Sequence, residues 1–221
     1  MTAIIFDTET TGRNEPVLIE AAWVETPDLH TLDVTRKFCQ RYNPGKPIET
    51  GALATHHILD EELADCPPAD TFRLPDGVDF LVGHSVDYDW EVIRKPDVKR
   101  ICTYAMAKKI WPDADSLSQS ALMYRLASDR VKVRDALKEA HSALADIRFC
   151  RFILKQIIRQ VQPDSWEALW KFSEQARVPE SMPFGKHRGV AIGALPKDYV
   201  RWALGNLTDM DPYLRKALEA A

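Results

Sequence analysis

The chain has 221 residues, 45% of them hydrophobic and 28% charged, with a formal net charge of −4. These are the proportions of a globular domain with a small appendage. They exclude a membrane span, which needs about 20 consecutive apolar residues, and a basic coat protein of nucleic acid, so any nucleic-acid contact must be local. No basic segment followed by an apolar run and a cleavage site opens the chain, so a cytoplasmic protein with no membrane partner is expected.

Ala3–Phe6 reads as a strand, followed by strands over "VLIEAAWVET" and "VTRKFCQRY", spaced for an antiparallel meander. After the break at "NPGKP", "GALATHHILDEELAD" reads as a helix. Phe80–Val82 is a short strand ending at Gly83, "DYDWEVIRK" is helical, and "RICTYAMAKKIWP" is a strand feeding a helix. "SLSQSALMYRLA" is helical. In "HSALADIRFCRFILKQIIRQV", Ala143, Ile147, Cys150, Leu154, Ile157 and Val161 recur at spacings of three and four, an amphipathic helix. "SWEALWKFSEQAR" is a further helix, and "VPESMPFG" a linker. A hairpin around "FGKHRG" and two short helices, the last capped by Asp211 with Pro212 in its first turn, end the chain. A meander followed by alternating strands and helices predicts an α/β fold with a mixed sheet flanked by helices. From Ser181 onward six Lys and Arg face four Asp and Glu, so this tail is basic in an acidic chain. The four cysteines form no C-x-x-C pair, which argues for reduced, mostly buried thiols rather than zinc or redox chemistry.

Asp7 and Glu9 alternate onto one side of the first strand with Ile5. Asp89 lies just past a strand end, and Asp146 lies in "HSALAD". On an ideal helix His141 and Asp146 fall about 140° apart. They can serve one site if His141 stays on the loop, Ser142 caps and Asp146 occupies the first turn. Converging carboxylates must take up protons or bind cations, because a pair 4 Å apart repels by about 4 kcal/mol at an effective dielectric of 20. Hard Mg²⁺ or Mn²⁺ suits such oxygen donors. Spacing alone leaves open whether these acids meet.

"FDTETTG", "GHSVDYD" and "HSALAD" occur in that order, and together they resemble the three motifs of the DEDDh branch of DnaQ-like 3′–5′ exonucleases. The resemblance implies a ribonuclease H-like fold: an antiparallel meander plus parallel strands, flanked by helices. It implies an exonuclease domain over residues 1–162, a helix and linker over 163–180, and a small C-terminal α+β segment over 181–221. "ICTYAMAKKIWP" and "MPFGKHRGVAIGALPKDYVRWAL" are similar to the exodeoxyribonuclease X-like subgroup. By position, the resemblance implies Asp7, Glu9, Asp89 and Asp146 as ligands of two Mg²⁺ ions, with Mn²⁺ able to substitute, and His141 as general base. Asp87 competes for the third ligand place, but Tyr88 takes the aromatic place just before the motif's Asp, which selects Asp89. Ser85 stands where Asn is usual, with fewer hydrogen-bonding groups to brace the loop or meet substrate.

Thr8 and Thr10 flank Glu9 and are expected to contact the terminal nucleotide. His56 in "ATHHIL" falls where the family places a substrate-side histidine, with His57 replacing a glycine. Lys186 and Arg188 are candidates to hold phosphates. Trp166, Trp170 and Trp202 suit either base stacking or, as their helical spacing favours, packing between domain and tail. The implied activity is hydrolysis of DNA from 3′ ends, single-stranded or duplex, to nucleoside 5′-monophosphates. The alternatives are an exoribonuclease or a polymerase-associated proofreading or adaptor subunit. No protein partner is indicated.

Overall fold

The computed structural model describes residues 1–221. They form two compact units, Met1–Ser173 and Glu174–Ala221. In the first, β1 (Thr2–Thr10), β2 (Leu18–Glu25) and β3 (Arg36–Arg41) make the antiparallel meander. β4 (Val78–Gly83) and β5 (Lys99–Cys102) pair in parallel on the other side of β1, giving the order β3-β2-β1-β4-β5. The central position of β1 explains its uninterrupted apolar run, since Ala3–Phe6 is buried throughout. The strand continues to Thr10, four residues beyond the stretch read as strand from sequence. Asp7 and Glu9 therefore sit inside a paired strand, opposite Ala22 and Glu20 of β2, and not on a frayed end. The register shifts between Glu9 and Thr10, a bulge of the kind that re-aims side chains beside functional sites.

Helices α1 (Thr50–His56), α2 (Asp87–Val92), α3 (Thr103–Ile110), α4 (Gln119–Leu126), α5 (Arg130–Ala136) and α6 (Ala143–Val161) surround this sheet. α6 lies over β1 and β2 and packs on α3 and α4. Its stripe of Ile147, Cys150, Ile153, Leu154 and Ile157 is almost fully buried, each large aliphatic contributing roughly 1.5–3 kcal/mol.

Two local readings of the sequence need correction. "GALATHHILDEELAD" is not one helix. His57 takes a left-handed backbone (φ 58) and its amide closes on the Leu53 carbonyl at 2.9 Å, which ends α1; a separate 3-10 turn follows at Asp60–Leu63. α5 has no counterpart among the elements read from sequence. It is opened by the Asp129 carboxylate, which accepts from the Val131 and Lys132 amides.

α7 (Trp166–Arg177) carries the chain from the first unit into the second. The second unit adds α8 (Lys197–Asn206) and α9 (Pro212–Glu219). In place of a full hairpin, a single bridge between Ser181 and Ala191 is closed by a 3-10 turn, Gly185–His187. Met182, Ile192, Leu195, Ala203, Leu214 and Leu218 make its core. Asp211 caps α9 through the amides of Tyr213 and Leu214. All four cysteines are free, but only Cys102 and Cys150 are buried. No helix is long and apolar enough to cross a membrane.

Candidate active site

Strand alternation puts Asp7 and Glu9 on one face of β1. α6 crosses that face, and Asp146, in its first turn, completes a group of three acids whose carboxylate oxygens all lie within 4.8 Å of one another. His141 stays on the loop in a left-handed conformation (φ 64), and its backbone amide bonds back to the Asp146 carboxylate. This fold-back is how two residues about 140° apart on an ideal helix come to share one place. The loop is held differently from the sequence expectation. Ser142 occupies the N-cap position but its hydroxyl donates to the Glu139 carbonyl at 3.3 Å and caps nothing. The Ala143 amide at the head of α6 donates instead to Glu20 Oε1 at 3.1 Å, and Glu20 Oε2 accepts from Arg41 Nε at 3.2 Å. Glu20 was not among the sequence candidates. Its signal was present: a lone acid inside the apolar strand "LIEAAWV".

Asp89 arrives from the other side. β4 ends at Gly83, where an added Cβ would crowd the Phe6 carbonyl and Val86, and Ser85 turns the chain through a left-handed conformation (φ 67) into α2. Asp89 is buried, and its Oδ1 accepts from both the amide (3.0 Å) and the hydroxyl (2.6 Å) of Thr8. Asp87 is ion-paired with Arg100, so Asp89 is the acid of this segment that reaches β1. Tyr88, at the motif's aromatic place, uses its hydroxyl. It lies 2.7 Å from Thr10 Oγ1 and donates to the Gly12 carbonyl at 3.1 Å, tying down the exit of β1. Gly12 takes a backbone conformation (φ 150) that other residues rarely adopt, and it lies against the Glu49 carboxylate that accepts from the Arg13 and Asn14 amides.

The electrostatics are those of buried carboxylates crowded together. Burial, then the charges of Asp89, Asp146, Glu9 and Glu20, push the Asp7 carboxyl well above the usual range. Burial, then Asp146, Glu20 and Asp89, raise Glu9 to about 8. Asp89 is raised to about 7 by burial, against the lowering effect of its Thr8 hydrogen bonds. Asp146 is raised by burial, with His141 pulling the other way. Burial and mutual repulsion thus favour the uptake of protons or of a cation. The donors are all carboxylate oxygens, a set that fits a hard divalent ion and not a soft one.

The other sequence candidates are placed as follows. His56 is buried. Its Nδ1 accepts from the Ile58 amide at 3.0 Å, while Nε2 has no hydrogen-bond partner, although the Thr10 backbone lies near enough to oppose the lowering that burial imposes on the ring. Thr8 and Thr10 are buried, with hydroxyls engaged by Asp89 and by Gly12 and Tyr88. Ser85, Lys186 and Arg188 are exposed, the last two on the Gly185–His187 turn and just after it in the second unit. His84 is spoken for. Its Nε2–H donates to the Leu117 carbonyl at 2.8 Å, Nδ1 lies 3.0 Å from Thr103 Oγ1, and burial lowers it to about 4. Trp166 packs inside the first unit, stacked near Phe80 and donating to the Pro27 carbonyl at 3.1 Å. Trp202 is 51% exposed, so core packing does not account for it.

A mixed five-stranded sheet that brings acids from β1, α2 and α6 to one helix-covered face defines the ribonuclease H-like class of nuclease folds. The chain belongs to the exonuclease family, in its DnaQ-like DEDDh branch: the family model described as Exonuclease matches residues 4–151. A second model, whose description names a quorum-sensing-regulated virulence factor, matches residues 175–206. The chain is 27% identical over 223 residues to Exodeoxyribonuclease 10 of Escherichia coli (strain K12), covering 97% of this chain and 96% of that protein. It is also 27% identical over 164 residues to the DNA polymerase III subunit epsilon of Buchnera aphidicola, covering 65% and 67%. Among solved structures, Exonuclease X in complex with 5′ overhanging duplex DNA superposes with a TM-score of 0.63 at 24% identity, covering 77% of this chain and 99% of that one, a likeness of fold.

Proposed function

We propose that this protein is a 3′–5′ exodeoxyribonuclease, hydrolysing DNA from its 3′ end to nucleoside 5′-monophosphates. The observation that carries the reading is the group of Asp7, Glu9 and Asp146, joined by Asp89 and flanked by His141 on the adjoining loop. Asp7, Glu9, Asp89 and Asp146 are the residues that would hold two divalent ions, Mg²⁺ or Mn²⁺. Bound there, the ions would supply charge neutralisation for the phosphodiester and acidify the attacking water. His141, exposed and on a loop anchored to Asp146, is the general base that accepts the water proton. Thr8 holds Asp89 in place, and Thr10 with Tyr88 shapes the strand exit at which the terminal nucleotide would sit. Ser85, exposed, and His56, buried against the Thr10 backbone, are proposed substrate-side residues, His56 acting through that backbone. Lys186 and Arg188 are proposed phosphate contacts.

The preference for DNA is supported by the relative named Exodeoxyribonuclease 10, which matches across 97% of the chain. The match to a polymerase subunit keeps a proofreading role as the second reading. One assay decides: 3′-labelled single-stranded DNA, duplex DNA and RNA, each incubated with Mg²⁺ and with EDTA. Release of labelled mononucleotide from DNA, abolished by EDTA and slower on RNA, is expected. Label released only from RNA overturns the choice of substrate, and release that survives EDTA overturns the metal-dependent reading.

A further inference from the structure

The second unit carries a ladder of rings that runs from its core out to solvent. The His187 ring lies 4.2 Å from that of Tyr199, tilted by 58°, and Tyr199 lies 5.8 Å from Trp202, near parallel at 30°. Lys186 Nζ sits 5.6 Å over the Tyr199 ring. Tyr199 packs against the unit's core, but Trp202 does not. Trp202 is 51% exposed, and Phe184, at the start of the turn, is 46% exposed. Residues 184–202 also carry Lys186, Arg188, Lys197 and Arg201, all exposed, against a single acid, Asp198. In a chain of net charge −4, this is a basic stretch that carries an exposed aromatic ring, Trp202, stacked on Tyr199.

We propose that this face is a binding place for single-stranded DNA, with a base stacked on Trp202 to extend the ladder and phosphates met by Lys186 and Arg188. The proposal rests on the exodeoxyribonuclease reading for its choice of ligand and adds a binding place outside the carboxylate site. Stacking on an aromatic ring tolerates any base, because every base has a π-face, and cations beside the ring track the backbone. A duplex has its base faces already stacked, so the ladder selects single strands.

The test uses the full chain in EDTA, which permits binding without cleavage, and a fluorescently labelled oligothymidylate. Trp202→Ala should weaken binding by about 5- to 150-fold, the range that stacking of one base represents. Trp202→Phe should restore most of the loss. Lys186→Ala and Arg188→Ala should each reduce the salt slope by about 0.7. Hydrolysis of a nitrophenyl ester of thymidine 5′-monophosphate in Mg²⁺, which offers no further base to stack, should be unchanged in Trp202→Ala. Wild-type affinity and slope in all these variants overturn the proposal, as does tighter binding of polyglutamate than of the oligonucleotide. Oligonucleotide binding that depends on Trp202 in a protein that hydrolyses neither substrate upholds this surface and overturns the nuclease reading instead.

Discussion

Glu20 of β2 accepts the Ala143 amide at 3.1 Å, and through that bond the sheet sets the head of α6. The same carboxylate takes Arg41 on its other oxygen and adds negative charge to Asp7 and Glu9. One side chain therefore both places Asp146 and raises the cluster's demand for a cation. Replacing a helix N-cap acceptor costs about 1 kcal/mol. Glu20→Ala is expected to lower the melting temperature in chelator and to lower turnover further, because Asp146 and His141 lose their anchor. Turnover equal to wild type in a measurably destabilised variant would show that the helix keeps its place without Glu20.

The acid cluster makes stability depend on pH with a definite sign. In the unfolded chain carboxyls titrate near 4, whereas in the folded, cation-free protein Asp89 and Glu9 titrate near 7 and 8. The folded state thus binds extra protons between those values. Their contribution is fully present below about 4 and is lost as pH rises through 7 to 8. Melting temperature in EDTA should fall from pH 5 to pH 8. Mn²⁺ should raise it more at pH 8 than at pH 5, where the ion must displace protons. Asp7→Asn should flatten the EDTA profile, raise stability at pH 8 and abolish cleavage. A profile in EDTA that is flat for the wild type contradicts the assignment.

Thr8 is the residue that fixes the Asp89 carboxylate, through a hydroxyl at 2.6 Å and an amide at 3.0 Å. Thr8→Val keeps the shape and the amide and removes the hydroxyl. Loss of such a supporting hydrogen bond commonly costs 10- to 100-fold in metal affinity or activity. Titration of Mn²⁺ by electron paramagnetic resonance should show a weakening of about that size with an unchanged fold. Unaltered affinity would leave the Thr8 amide as the sole effective support.

For His141 the informative change is to Asn. The residue sits at φ 64, where Ala would add backbone strain while Asn is tolerated. His141→Asn removes the proposed base and keeps the loop. Turnover should drop by roughly 10²–10⁴ with divalent-ion affinity retained. Near-normal turnover would leave His141 a loop-forming role only.

Much of the site is legible in the sequence because strand alternation and motif order are local signals. "FDTET" declares that Asp7 and Glu9 share a face, and Tyr88 before Asp89 separates it from Asp87, which the structure pairs with Arg100. What escapes is what depends on contacts between distant segments. The Ser142 cap is plausible from its residue type, yet Glu20, 123 residues away, takes the amide. The break at His57 needs a left-handed backbone, which the glycine usual at that place in the family announces but the helical pattern of the stretch does not. Helical spacing cannot tell a tryptophan that packs, Trp166, from one that faces solvent, Trp202.

The order in which the acids occur along the chain also matters during synthesis. Asp7, Glu9 and Asp89 leave the ribosome first, whereas Asp146 belongs to α6, which begins only at Ala143. Until that helix emerges and docks on Glu20, the growing polypeptide lacks the third member of the acid group. The acid group is thus completed only by a late-made segment, and any activity that depends on it waits for that segment to be synthesised.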